Sequence, residues 1–165
     1  MSRPRRPAAS SAEPLSVMTI RTVHLTLAAP REPVFNFLAD IENLPLWAGE
    51  FCARLELRQG RWWAYTASGE MVVDLESSAG TGVIDLRAGP APDRLGLRPI
   101  RVLPLAAGRT LVSFTLLPSP GMSAERAEQQ YRSLLADLRG LRRRFGGGEP
   151  PGLEPEPPQA KPGRN

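Results

Sequence analysis

One cysteine (Cys52) and one histidine (His24) are the only thiol and the only imidazole in this 165-residue chain. A lone thiol cannot close an intramolecular disulfide, and zinc needs several Cys, His or carboxylate ligands, so neither a disulfide framework nor a metal site is expected. No run approaches 18 consecutive apolar residues, so no helix is expected to cross a membrane. The opening "MSRPRRPAASSAEPLSVM" lacks the apolar block of a secretory signal, and Pro14 interrupts the one place where a block could begin. A reduced, cytoplasmic setting without stable membrane insertion is the default expectation.

Lysine is nearly absent as well. Of 21 basic residues only Lys161 is a lysine, and the formal charge is +4. The one dense cluster, Arg142, Arg143 and Arg144, falls where a terminal helix should end, and cations there complement the helix dipole. That placement explains the charge without a nucleic-acid partner, and none is expected.

What the chain does have is a clear change of period. Residues 1–18 are basic and Ser/Ala/Pro-rich, and residues 146–165 are dominated by Gly, Pro and charge. Neither segment can bury enough apolar surface to offset its ordering entropy, so both are expected to be disordered arms around a domain at 19–145. Met18 immediately precedes the first strand-like run and is an alternative start to Met1. "TIRTVHLTLAA" alternates Val23, Leu25 and Leu27 against Thr22, His24 and Thr26, as a strand does. "PREPVFNFLADIENL" shifts to helical spacing, with Pro30 or Pro33 in a first turn, and Pro45 ends this helix or starts a second short one. Period two returns from Phe51 and persists through "FCARLELRQG", "RWWAYT", "SGEMVVDLES", "TGVIDLRA", "RPIRVLPLAAG" and "RTLVSFTLLP". The stretch "GPAPDRLGL" reads as a loop, and "GTG" (Gly80 to Gly82) as a turn with no phosphate-loop context.

The last element is the plainest. Ser123 suits an N-cap, and Ala127, Tyr131, Leu134, Leu138, Leu141 and Phe145 form one apolar stripe along about 22 residues, ~33 Å of helix. The reading is an α+β domain. A curved antiparallel sheet of about seven strands wraps a long C-terminal helix, and two short helices follow strand 1.

The stretch "LAAPREPVFNFLADIENLPLW" carries Ala29-Pro30, Val34-Phe35, Asp40, Asn43, Pro45 and Trp47. With this order of elements it resembles the opening of the START-like (SRPBCC) superfamily, the polyketide cyclase/dehydrase and lipid-transport group with the helix-grip fold. The resemblance covers roughly residues 19–145. It implies an elongated apolar cavity between sheet and terminal helix, no cofactor, and a ligand class that the pattern does not fix, because the superfamily spans lipid carriers, cyclases and hormone receptors.

Within that frame Trp47, Trp63, Tyr65, Phe114, Tyr131, Leu134 and Leu138 are the expected ligand-lining residues. Aromatic bodies with one polar tip suit an apolar ligand oriented by few hydrogen bonds. Trp62 and Trp63 must point to opposite faces, and Trp63 is expected inward with Tyr65. His24 shares parity with Thr22 and Thr26, so it is expected to face solvent, and Cys52 also falls off the apolar parity. Glu50, Asp85 and Arg101 are the catalytic candidates: Glu50 at the cavity mouth, Asp85 and Arg101 as a cross-strand ion pair. The expected function is binding of a small hydrophobic molecule such as a lipid, polyketide or isoprenoid, with a homodimer left open. The alternative is a cofactor-independent aromatase/cyclase or dehydratase using the same cavity, and the third reading is a regulatory or interaction domain with a filled cavity. The paucity of inward titratable residues favours binding.

Overall fold

The computed structural model describes residues 19–147, so residues 1–18 and 148–165, expected as arms, lie outside the described residues. Strand β1 (Arg21–Leu27) is followed by helix α1 (Arg31–Ala39), a 3-10 turn (Ile41–Asn43) and helix α2 (Leu44–Trp47). The meander then runs through β2 (Arg54–Arg58), β3 (Arg61–Thr66), β4 (Gly69–Ser78), β5 (Val83–Ala91), β6 (Arg94–Leu105) and β7 (Arg109–Leu116) into helix α3 (Ala124–Phe145). The sheet order is β1-β7-β6-β5-β4-β3-β2, and every neighbouring pair is antiparallel. This is the curved sheet and terminal helix that the alternating pattern implies.

Register decides which side chains meet. Val23 lies opposite Phe114 and Leu25 opposite Val112 across β1 and β7, while Ile100 and Val102 on β6 face the same two β7 residues. Ile84 on β5 stands opposite Ile100, and all of these side chains are buried on the concave face. Helix α3 covers that face unevenly. Leu135, Leu138 and Leu141 in its C-terminal half are buried, whereas none of the residues from Ala124 to Leu134 is. Phe145 meets Phe37 of α1 edge-on at 5.5 Å and closes one end of the core. Ser123 caps the helix by accepting from the Arg126 amide at 3.2 Å.

The bend after β1 is held by the residues that carried the resemblance. Asp40 accepts from the Glu42 amide at 3.0 Å, Asn43 donates to the Phe37 carbonyl at 3.1 Å, and Pro45 occupies the first turn of α2. Buried Thr110 donates to the Ala29 carbonyl at 2.7 Å, tying this bend to β7.

Three local expectations are corrected. "GPAPDRLGL" is not a loop: β5 and β6 continue through it and turn at Pro92-Asp93, where Ala91 pairs with Arg94. The prolines are tolerated because the register shifts between Ala88 and Ala91, and Gly89 lacks the Cβ that would collide with the Arg94 carbonyl. Cys52 lies in the turn before β2 rather than on the strand, so its parity does not apply. It is fully buried and its thiol donates to the Arg54 carbonyl at 3.2 Å, while burial pushes its pKa to about 11. Gly146 and Gly147, expected in the tail, are seated against β1 instead: Ala28 donates to the Gly146 carbonyl and Gly147 bridges Leu27. A Cβ on Gly147 would lie 2.0 Å from the Thr26 carbonyl, so only glycine fits there.

Gly82 combines two demands. Its φ is +72°, and an added Cβ would sit 2.1 Å from the Val102 carbonyl oxygen, in a loop whose Gly82 carbonyl accepts from the Val102 amide. We predict that Gly82→Ala destabilises the fold by at least about 2 kcal/mol in urea unfolding, while Gly80→Ala, with open space around it, changes stability by under about 1 kcal/mol.

Candidate functional site

The thin coverage by the first half of α3 leaves a crevice of about 110 Å³ between that helix and the sheet. Its apolar walls are Trp47 from α2, Phe51, Leu86, Ile100, Phe114 and Leu134. Its polar groups are Arg98 from β6, Asp137 from α3, Glu50 after α2, Thr66, Ser68 and Thr115 on the sheet side, and Arg126, Gln129, Gln130 and Ser133 on the helix face above. Trp47 is only 4% exposed and packs on Phe114 with ring centroids 5.7 Å apart. Its indole N–H has no hydrogen-bond partner. The indole nitrogen is itself closed off from solvent, so an acceptor meets it only where the wall opens.

Arg98 comes from strict alternation. It shares the inward face with Ile100 and Val102 and stands opposite Leu86 on β5. The guanidinium lies over the Phe51 ring, 4.3 Å from its centroid, and makes no hydrogen bond or ion pair within the described residues. Burial lowers its pKa, offset in part by the charge of Asp137. The side chain keeps partial exposure because it lines the crevice.

Asp137 is 6% exposed and sits among Leu134, Leu138 and Leu141 on the inward stripe of α3. Its Oδ1 accepts the Glu50 amide at 2.8 Å. Burial dominates its ionisation and carries the carboxyl from 3.8 up to about 7, with the Glu50 charge pushing the same way. The Glu50 and Phe51 amides and the Arg98 charge pull it back only in part. The result is an acid near neutrality beside a cation on an apolar wall, a combination found at sites of acid–base work and ligand binding.

The residues singled out from sequence divide cleanly. Trp47, Phe114, Leu134 and Glu50 line the crevice. Trp63 and Tyr65 do not, because register puts Trp62 opposite Val73 and Ala64 opposite Met71, which sends Trp63 and Tyr65 to the convex face. There Arg58 stacks on Trp63 at 4.4 Å, Arg54 on Tyr65 at 3.8 Å, and the Tyr65 hydroxyl donates to Glu56 at 2.6 Å. Trp62 takes the inward position and packs against the core. Leu138 is fully buried core beneath the crevice, and Tyr131 lies toward β1 under the Arg21 guanidinium at 4.5 Å. Asp85 and Arg101 form the expected ion pair at 2.8 Å, with Arg101 also donating to the Ile100 and Ile84 carbonyls. Both alternate against inward Ile84 and Ile100, so the pair stands on the convex face, away from the crevice. His24 is exposed. The sequence reading missed Arg98 and Asp137. Each was detectable as a charge breaking an otherwise apolar period, Arg98 two residues before Ile100 and Asp137 three after Leu134.

No family model matches the chain, and no curated protein matches it. Solved structures share the architecture. A START superfamily protein from Mycobacterium smegmatis superposes with a TM-score of 0.52 at 14% identity, covering 76% of this chain and 97% of that one. An HSP90 activator from Plasmodium falciparum gives 0.57 at 12% identity, covering 79% and 98%. A protein of the dynemicin biosynthetic locus gives 0.55 at 14% identity, covering 75% of this chain and 46% of that one. Three different roles at such low identity make this a likeness of fold alone.

A carboxyl whose pKa is raised on folding contributes fully below its unfolded value and loses that contribution as pH climbs to the folded value. For Asp137, from 3.8 to about 7, the loss is on the order of 4 kcal/mol. We predict that Asp137→Asn, which can still accept the Glu50 amide, removes this decline between pH 4 and pH 7. Urea unfolding at pH 8 should find the variant more stable than the parent by a few kcal/mol, and parallel pH profiles for the two proteins would contradict the assignment.

Proposed function

We propose, from the START-like helix-grip fold that this chain shares with those structures, that the protein binds a small, largely apolar molecule in the crevice beneath the first half of α3. The observation that carries this reading is the crevice wall: Trp47, Phe114, Ile100 and Leu134 are apolar, yet the Trp47 indole N–H is left unpartnered among them. Core packing alone gives no reason to leave that donor unpaired. The volume, about 110 Å³, is close to what a single aromatic ring fills and far below the ~300–1,000 Å³ of drug-sized sites. A bulkier lipid, polyketide or isoprenoid therefore needs α3 to move outward or must leave much of its length outside the crevice.

Asp137 supports the second reading, a cofactor-independent cyclase or dehydratase. A carboxyl with pKa near 7 is matched to proton transfer at neutral pH, and the adjacent Arg98 cation can stabilise a developing enolate. The interaction-domain reading, suggested by the HSP90 activator, fits less well, because the cavity is not filled by its own aromatics.

Titration with cinnamyl alcohol, followed by NMR, tests binding directly. We predict saturable shifts centred on the Trp47 indole N–H, weakened at least tenfold in Leu134→Trp, which fills the crevice. Shifts scattered over the convex face, or no saturation, would rule the crevice out as a binding site for such molecules.

A further inference from the structure

The crevice carries carboxyls, amides and hydroxyls as well as cations, but two of its donors stand out as unpaired. The Arg98 guanidinium and the Trp47 indole N–H are both donors without a protein hydrogen-bond acceptor among the described residues. Phe51 occupies the face of the guanidinium, which leaves the in-plane N–H groups as its hydrogen-bonding edge. Asp137 forms no direct ion pair with Arg98, and its Oδ1 is engaged by the Glu50 amide. A neutral apolar ligand would desolvate Arg98 without replacing the water it loses, and a cationic ligand would be repelled by it.

We infer that the natural ligand is a small acid, a carboxylate or comparable planar oxyanion on an apolar body, with its anionic end on Arg98 beside Asp137 and its body against Trp47 and Phe114. This rests on the crevice being a ligand site. Asp137 must be protonated in the complex. Ionised, it would set two carboxylates side by side; protonated, it donates a hydrogen bond to the ligand oxygen. Binding of the anion therefore draws a proton onto Asp137. The other titratable or charged groups near it are Glu50 beyond α2, the buried thiol of Cys52, Arg98 across the crevice on β6, and Arg126 farther along its own helix. Cys52 stays protonated through this range, and guanidinium groups are not deprotonated in proteins.

Isothermal titration with cinnamate and its neutral isostere cinnamamide separates this inference from the binding reading beneath it. At pH 6 cinnamate should bind at least tenfold more tightly than cinnamamide. Its affinity should fall about tenfold by pH 8, as Asp137 passes through its pKa near 7. At pH 7 the heat should vary with the buffer's ionisation enthalpy, reporting proton uptake that disappears in Asp137→Asn. Arg98→Gln should erase the preference for the acid, and Arg98→Lys should keep part of it. If Arg98→Gln does not fold, the acid-to-amide ratio of the parent and of Arg98→Lys decides. Equal affinities for acid and amide would overturn the anion inference and leave the crevice as a binding site. Failure of both compounds, and of cinnamyl alcohol, would overturn both.

Discussion

The structure depends on one mismatch, between a seven-stranded sheet with a continuous apolar concave face and a single helix that covers it with unequal force. The sheet has no second layer among the described residues, so its buried face relies on α3 and the short segment from α1 to α2. In the C-terminal half of α3 the leucines come densely, and Leu135, Leu138 and Leu141 pack to near-zero exposure. Truncating one of these fully buried leucines would cost about 2–5 kcal/mol, which measures how firmly this half is anchored. In the N-terminal half the crevice-facing positions are Arg126, Gln129, Gln130 and Ser133, and Leu134 is the one leucine among them. The helix is held at one end and stands off at the other, and the crevice follows from that.

Local chemistry then gives the crevice its character. A strand period of two places Arg98 on the wall because Ile100 and Val102 belong to the core. A helical period places Asp137 opposite it because Leu134, Leu138 and Leu141 belong to the core. Both charges are carried inward by their neighbours' burial, and the burial moves both pKa values toward the neutral form. A carboxyl held near neutrality lowers stability at physiological pH relative to an amide of the same shape. Its presence is understandable where binding or proton transfer needs it.

The convex face shows the same periodicities leading elsewhere. Trp63, Tyr65, Arg54 and Arg58 stack into a cation–aromatic layer across β2 and β3, and Asp85 with Arg101 makes a half-buried pair across β5 and β6. These groups contact one another and not the crevice, and Arg58 also pairs with Glu70 at 3.2 Å. Aromatic residues and a cross-strand ion pair were plausible cavity features by type, and only the face they occupy separates them from Trp47 and Phe114.

The sequence by itself determined the order of elements, the strand count, the terminal helix with its cap, and the bend through Asp40, Asn43, Pro45 and Trp47. These follow from alternation, helical spacing and proline chemistry, which act within a few residues. Tertiary structure alone decided which of Trp62 and Trp63 faces inward, because that depends on pairing with Val73 and Ala64's pairing with Met71 across β4, a long-range register that no local pattern contains. It also decided that Arg98 and Asp137, 39 positions apart, face one crevice. Each was visible as a charge interrupting an apolar period. Their meeting is a property of how a helix settles on a curved sheet.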